Sequence, residues 1–217
     1  MVKAILFDFD GTLADTAPGI VLTMQAAFRE MGLPVPEDEA VRRTIGLPLA
    51  ECVKVLGNLS DEEAMEGANV YRKYFPTVEL EYIKMFPGVA QILKEFASLG
   101  IRMAICTSRG HNSLERILAG NGLWECFETV VTSSDKLPPK PAPDMVLALL
   151  ERMGLKADEA VVVGDTTFDI LMGAGAGCRT VAVTYGNHSS EQLKSARPDF
   201  LASSFHEVKD ICMLLTR

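Results

Sequence analysis

The stretch Val2-Lys3-Ala4-Ile5-Leu6-Phe7-Asp8-Phe9-Asp10-Gly11-Thr12-Leu13 decides the fold. Residues 2 to 7 are mostly apolar and do not alternate, which suits a strand buried on both faces of a parallel sheet. Two aspartates follow at its carboxyl end, where open α/β sheets bind ligands. Asp8 and Asp10 lie two apart, so in an extended chain their side chains would share a face. Two carboxylates held together repel and need a proton or a cation between them. Gly11 permits a backbone path closed to other residues, and Thr12 brings a hydroxyl to the turn. Read on its own, the string also fits a surface turn after a strand.

The 217 residues suffice for one large α/β domain, or a domain with a small insert. Hydrophobic residues make up 48%, enough for a sizeable core and against global disorder. A net charge of -8 argues against nucleic acid or an anionic membrane as partner, and an anionic substrate then needs a local positive site. Cys52, Cys106, Cys126, Cys178 and Cys212 form no CxxC pair and read as reduced core thiols of a cytoplasmic protein. His111, His188 and His206 are too scattered for a zinc site, and no run is long and apolar enough to span a membrane. Nothing in the chain specifies an oligomeric state.

Helical spacing of Ile20, Met24, Phe28 and Met31, with Gly32 as a stop, predicts a helix starting near Pro18. Shorter helices are expected over 38–44 and 49–56, and a longer one from the acidic opening at Ser60 to Tyr74. No strand is expected in this stretch, which reads as a helical insert at 15–84 within a core of 1–14 and 85–217. From Val89 onward strands and helices alternate, with strands at 101–106, 129–132, 160–163, 180–184 and 200–202 and helices at 89–99, 113–119, 144–153 and 168–174. That alternation predicts a doubly wound parallel Rossmann-like sheet.

Three further elements sit at predicted strand ends. Thr107-Ser108 follows the strand 101–106; taken alone it reads first as a strand-end cap, and its hydroxyls also suit a phosphoryl oxygen. Lys140 precedes Pro141-Ala142-Pro143 and a helix start, where dipole and ammonium both favour an anion; an ordinary solvated lysine is the alternative. Val163-Gly164-Asp165-Thr166-Thr167-Phe168-Asp169 delivers two acids four apart, which meet if the chain turns early into helix; a helix N-cap is the alternative for Asp165. Gly173-Ala174-Gly175-Ala176-Gly177 lacks the dinucleotide spacing and reads as close packing and a helix stop. His188 reads as a surface-loop residue, with contact to substrate as its other reading.

Asp8-Phe9-Asp10-Gly11-Thr12-Leu13, Thr107, Lys140 and Asp165-Asp169 resemble, in order, the four motifs of the haloacid dehalogenase-like superfamily, and the resemblance covers the whole chain. It implies a phosphatase with an inserted helical cap of the C1 type. Asp8 would be the nucleophile that becomes an aspartyl-phosphate, and Asp10 the general acid and base. Mg2+ would be held by Asp8, the Asp10 carbonyl and Asp165, with Asp169 supporting the shell. Thr107, Lys140 and the amides near Phe9 and Ser108 would bind the phosphoryl oxygens. An acid at position 10 points away from the dehalogenating and ion-pumping branches.

Asp15-Thr16-Ala17-Pro18 and Val41-Arg42-Arg43-Thr44-Ile45-Gly46 are similar to the phosphoglycolate phosphatase branch, whereas Leu47-Pro48-Leu49 departs from it toward the pyrophosphatases. The expected substrate is a small phosphorylated metabolite such as 2-phosphoglycolate. Pyrophosphatase, nucleotidase and sugar-phosphate phosphatase or mutase are the alternatives, and a non-catalytic phosphate binder is a third class. Arg43 is expected to read a substrate carboxylate from the cap, and a solvated helix residue is its other reading.

Overall fold

The apolar strand residues fall into two sets that alternate along the chain. Ile5, Phe7, Met103, Ile105, Val161, Val163, Val181 and Val183 join one core cluster. Ala4, Leu6, Ala104, Cys106, Ala160 and Val162 join another. The three strands that contribute to both, at 4–7, 102–106 and 160–164, are therefore buried on both faces, and this is why the sequence shows no polar alternation there. A computed structural model describes residues 1–216, with the side chains of residues 79 and 80 outside the description.

In chain order the elements are β1 (Ala4–Phe7), β2 (Ala14–Asp15), α1 (Ala17–Glu30), α2 (Asp38–Arg42), α3 (Leu49–Gly57), α4 (Asp61–Tyr82), β3 (Lys84–Met85) and α5 (Val89–Ser98). Then come β4 (Arg102–Cys106), α6 (His111–Gly120), β5 (Thr129–Val131), α7 (Asp144–Met153), β6 (Ala160–Gly164), α8 (Thr167–Gly175), β7 (Arg179–Val183), α9 (Ser190–Ser195), β8 (Phe200–Ala202) and α10 (Phe205–Leu215). Six strands form one parallel sheet in the order β5-β4-β1-β6-β7-β8. Residues of α5, α6 and α10 cover one face, and those of α7 and α8 the other. Gly173 lies where α8 crosses the sheet: an added Cβ would come within 2.9 Å of Val162 and Thr180, so its glycine serves close packing.

Register places the functional segments side by side. Phe7 lies opposite both Ile105 of β4 and Val163 of β6. Asp8, Thr107 and Asp165 thus leave the sheet within a residue or two of one another. Strand order reverses at β1, and the crevice at such a switch point is where doubly wound sheets bind ligands.

Helices α1 to α4 build a separate core from Val21, Met24, Phe28, Val41, Val53, Tyr71 and Phe75. Two features correct the expectation for this stretch. It does contain strand: β2 and β3 pair antiparallel, Ala14 with Met85 and Asp15 with Lys84, where the chain leaves and rejoins the sheet. Two residues each are too short to show a periodicity. The fourth helix also continues beyond Tyr74, through Pro76, to Tyr82. A proline removes one donor and disfavours a helix interior, yet the packing of Phe75 and Val78 into the cap core carries the helix past it. Helices α9 and α10 were likewise not expected.

Candidate active site

Asp8 is the first residue past β1, and its amide donates to the Val163 carbonyl at 2.9 Å, so its backbone is still held by the sheet. Its side chain meets Lys140, whose Nζ donates to Asp8 Oδ1 and to Asp169 Oδ1, each at 2.6 Å. Lys140 is 3% exposed and so is no solvated lysine. It stands on the approach to α7, on the N-terminal side of a cis Lys140–Pro141 peptide.

Asp165 accepts from Thr12 Oγ1 at 3.0 Å and from the Asn187 amide and side chain at 2.7 and 2.8 Å. Asp169 sits in the first turn of α8, where its Oδ2 accepts from the Thr166 amide and hydroxyl at 3.0 and 2.6 Å. The N-cap of α8 is thus Thr166, with Asp169 as the other half of a capping box, and Asp165 is left to the site. One oxygen each from Asp8, Asp165 and Asp169 lies within 4.8 Å of the others, in a buried cluster. Gly11, with φ +86°, lets the turn pass over this cluster: a Cβ there would stand 2.2 Å from Asp165 Oδ2.

The electrostatics follow from burial. Desolvation raises Asp8 well above the usual carboxylate range; Lys140 opposes this, while Asp169, Asp165 and Asp10 add to it. Desolvation and Asp169 push Asp165 up to about 7, against the hydrogen bonds from Asn187 and Thr12. Burial would lower Lys140, but Asp169 and Asp8 outweigh it and hold the ammonium well above the usual lysine range. Three crowded carboxylates offering oxygen alone, with Asp8 and Asp165 raised by burial, fit a hard divalent cation such as Mg2+.

Asp10 goes elsewhere. β1 ends at Phe7, and the Phe9 carbonyl accepts from Leu13 and Ala14, so the chain turns instead of extending. Asp8 and Asp10 therefore do not share a partner as an extended chain would have it. Arg109 Nε donates to Asp10 Oδ2 at 3.1 Å, and its Nη2 donates to Oδ1. The Asp10 carbonyl faces Asn187 Nδ2 at 3.5 Å.

Thr107 is fully buried at the end of β4, with its Oγ1 accepting from the Arg109 amide at 3.1 Å. Ser108 donates its hydroxyl to the Gly46 carbonyl of the cap at 2.8 Å. Beside Ser108 and Arg109 lies a cavity of about 590 Å3 between cap and core, which Asp8, Thr107, Lys140 and Asp165 do not line. Ile45, Leu47, Leu49, Tyr71 and Phe75 line its cap side, and Ser108, Arg109, His111, Ser113, Arg116 and Ser134 its core side.

Arg43 does not reach this cavity. It follows the last residue of α2, its side chain is 72% exposed, and its Nε lies 3.4 Å from Glu39 Oε1. With Arg42 it lines a smaller cleft of about 160 Å3 against Asn187, His188 and Gln192. His188 is buried, contrary to its expected place on a surface loop: Nδ1 accepts from the Thr167 amide at 3.1 Å and burial lowers its pKa. Arg109 and Asn187 were not singled out in the sequence. A basic residue directly after Thr107-Ser108, and an amide in the loop after β7 at the same sheet edge, were the available signals.

Buried acids around one lysine, at the switch point of a doubly wound sheet beneath a helical lid, define a phosphoryl-transfer hydrolase. The family model described as haloacid dehalogenase-like hydrolase matches residues 5–183, and the chain belongs to that family. "Probable phosphatase IndB" of Dickeya dadantii is 36% identical over 212 residues, covering 96% of this chain and 92% of that protein. A Clostridium perfringens relative, named provisionally as the pyrophosphatase PpaX, is 33% identical with 97% of each chain covered. A Vibrio parahaemolyticus phosphoglycolate phosphatase is 28% identical, covering 97% and 96%. The crystal structure of a predicted phosphatase from Clostridium acetobutylicum superposes with a TM-score of 0.90 at 25% identity, over 98% and 99% of the two chains. The protein is a phosphatase of this family. Among the described residues no helix is long and apolar enough to cross a membrane.

Proposed function

We propose that the protein hydrolyses small phosphomonoesters, 2-phosphoglycolate among them, through an aspartyl-phosphate on Asp8 with Mg2+ as cofactor. The observation that carries this reading is Lys140 bridging Asp8 and Asp169 beside Asp165. Lys140 orients the Asp8 oxygen and offers positive charge to an incoming phosphoryl group. In the first half-reaction an Asp8 oxygen bonds to phosphorus, the phosphorus–oxygen ester bond breaks, and Asp10 gives its proton to the departing oxygen, releasing an alcohol. In the second, Asp10 takes a proton from water, that oxygen bonds to phosphorus, and the bond to Asp8 breaks to release phosphate. Thr107 Oγ1, Lys140 Nζ and the backbone amides near Phe9 and Ser108 are the donors for the phosphoryl oxygens. Mg2+, held by Asp8, Asp165 and the Asp10 carbonyl with Asp169 behind them, would neutralise phosphoryl charge. Five free thiols, four of them buried, suit the cytoplasm as the compartment.

A second reading, cleavage of pyrophosphate, nucleotides or sugar phosphates, is favoured by the cavity. Its volume of about 590 Å3 falls within the roughly 300–1,000 Å3 of sites for drug-sized ligands, and a two-carbon acid leaves most of it unfilled. A panel of phosphorylated metabolites ranked by kcat/KM decides between the two. Best turnover of 2-phosphoglycolate supports the first, and preference for a bulkier leaving group or for pyrophosphate replaces it with the second. No turnover of any phosphoester, p-nitrophenyl phosphate included, by folded protein with Mg2+ overturns both.

A further inference from the structure

We propose that Arg109 is the positioning residue for Asp10 and that it ties Asp10's placement to the cap. This rests on the reading of Asp10 as acid and base. Four observations converge on the one guanidinium. It forks onto both oxygens of Asp10. Its Nη1 donates to Ser113 Oγ at 2.9 Å. It lies over two rings, 5.5 Å from the centre of Phe9 in the core and 4.8 Å from that of Phe75 in the cap. And it forms part of the cavity wall while its side chain is only 7% exposed.

A planar fork is the cation geometry that fixes both the place and the plane of a carboxylate, and a lysine at this position would fix neither. Contact with the faces of both rings limits the guanidinium's freedom to move. Asp10 itself is on a turn, outside the sheet ladder that holds Asp8, so its carboxyl depends on a side-chain partner for its orientation. Arg109 supplies that partner from the residue after Ser108, whose hydroxyl already holds the Gly46 carbonyl of the cap. Two consecutive residues thus touch the cap, and the second grips the acid. When Phe75 of α4 shifts, the wall against which Arg109 rests shifts with it.

A merely structural pin between cap and core would lower activity on every substrate alike. A positioning residue for the acid lowers it where a proton is needed. The test compares an alkyl phosphate, whose leaving oxygen must be protonated, with p-nitrophenyl phosphate, whose leaving group departs as an anion. Misplacing a catalytic group by an ångström can cost roughly 100-fold. Arg109→Ala is therefore expected to lose about 100-fold in kcat on the alkyl phosphate and under about tenfold on p-nitrophenyl phosphate. Arg109→Lys, which retains the charge without the fork, should behave like Arg109→Ala. The Asp10→Asn, Arg109→Ala double variant should lose no more than about threefold beyond Asp10→Asn alone, because residues that act as a unit are not additive.

Equal losses on the two substrates, full rescue by Arg109→Lys, or multiplying losses in the double variant would each overturn the proposal. If Asp10→Asn itself shows no dependence on the leaving group, the acid role fails first, and that outcome is separate from the others. Should Arg109→Ala fail to fold, Phe75→Leu in folded protein carries the same comparison from the cap side. It is expected to show the same leaving-group bias in weaker form, and equal effects on both substrates would refute the coupling.

Discussion

Lys140→Met removes the cation from a site that is nearly closed to water. Its ammonium stands 2.6 Å from both Asp8 and Asp169, with 1% of the side chain exposed. Methionine fills similar volume, so the change is one of charge. It leaves Asp8, Asp165 and Asp169 together with no buried counter-ion, and stripping one partner from a buried pair costs about 3–5 kcal/mol. For a chain of this size each kcal/mol moves Tm by about 2–4 °C, so a drop of roughly 6–20 °C is expected without metal. The pH dependence has a definite sign. Burial already raises Asp8 and brings Asp165 to about 7, far above the value of about 4 expected for an unfolded carboxyl. Groups so raised bind protons in the folded state first, so their contribution is complete below about pH 4 and is lost as pH rises through their raised values, about 7 for Asp165. Losing Lys140 removes the influence that lowers Asp8. The deficit of Lys140→Met is therefore largest at pH 8 and shrinks at pH 5. Added Mg2+ should recover part of it at pH 8. Thermal melts followed by circular dichroism in EDTA, at the two pH values and then with Mg2+, measure each quantity. A fall in Tm below about 2 °C at pH 8, or a deficit larger at pH 5 than at pH 8, would refute the account of Lys140 as the buried counter-ion.

Asp8→Asn presents an amide that cannot form the acyl phosphate; kcat should fall by at least about 1,000-fold with Tm preserved, and retention of a tenth of kcat in folded protein removes Asp8 from the nucleophile's role. EDTA should abolish turnover and Mg2+ restore it, and Mg2+ should raise the wild-type Tm more at pH 8 than at pH 5, because ionised carboxylates bind it. A metal effect on Tm that is independent of pH would exclude these acids as its ligands. Arg43→Ala should leave the ratio of phosphoglycolate to p-nitrophenyl phosphate turnover within about threefold, since Arg43 is exposed and outside the large cavity; a selective loss of tenfold on phosphoglycolate, as expected for a charge-assisted contact, would return the cap loop to the reader's role.

The core of this protein is legible because its central strands β1, β4 and β6 are buried on both faces, so each leaves an apolar run that ends where the chemistry starts. Asp8, Thr107 and Asp165 could be found in that way, and the register of β1 with β4 and β6 brings them together. The cap follows other rules. Its helices pack on one stripe, and which residue faces the cavity depends on how α2 and α4 sit over the sheet. Arg43 and Phe75 differ little in the linear pattern, yet one is a solvated helix end and the other rests on Arg109. The partners of the acids were hidden for a related reason. Arg109 grips a residue 99 positions away and Asn187 serves one 22 positions away, and neither shares a periodicity with its target. Gly186 shows the same thing in negative form: a Cβ there would lie 2.3 Å from that of Asp165 and 2.5 Å from the Gly11 carbonyl, so the loop that brings Asn187 to the acid has no room for any side chain. Strand ends announce where a phosphatase of this kind does its chemistry. Which groups hold the acids, and what the cap admits, are written only in contacts between distant segments.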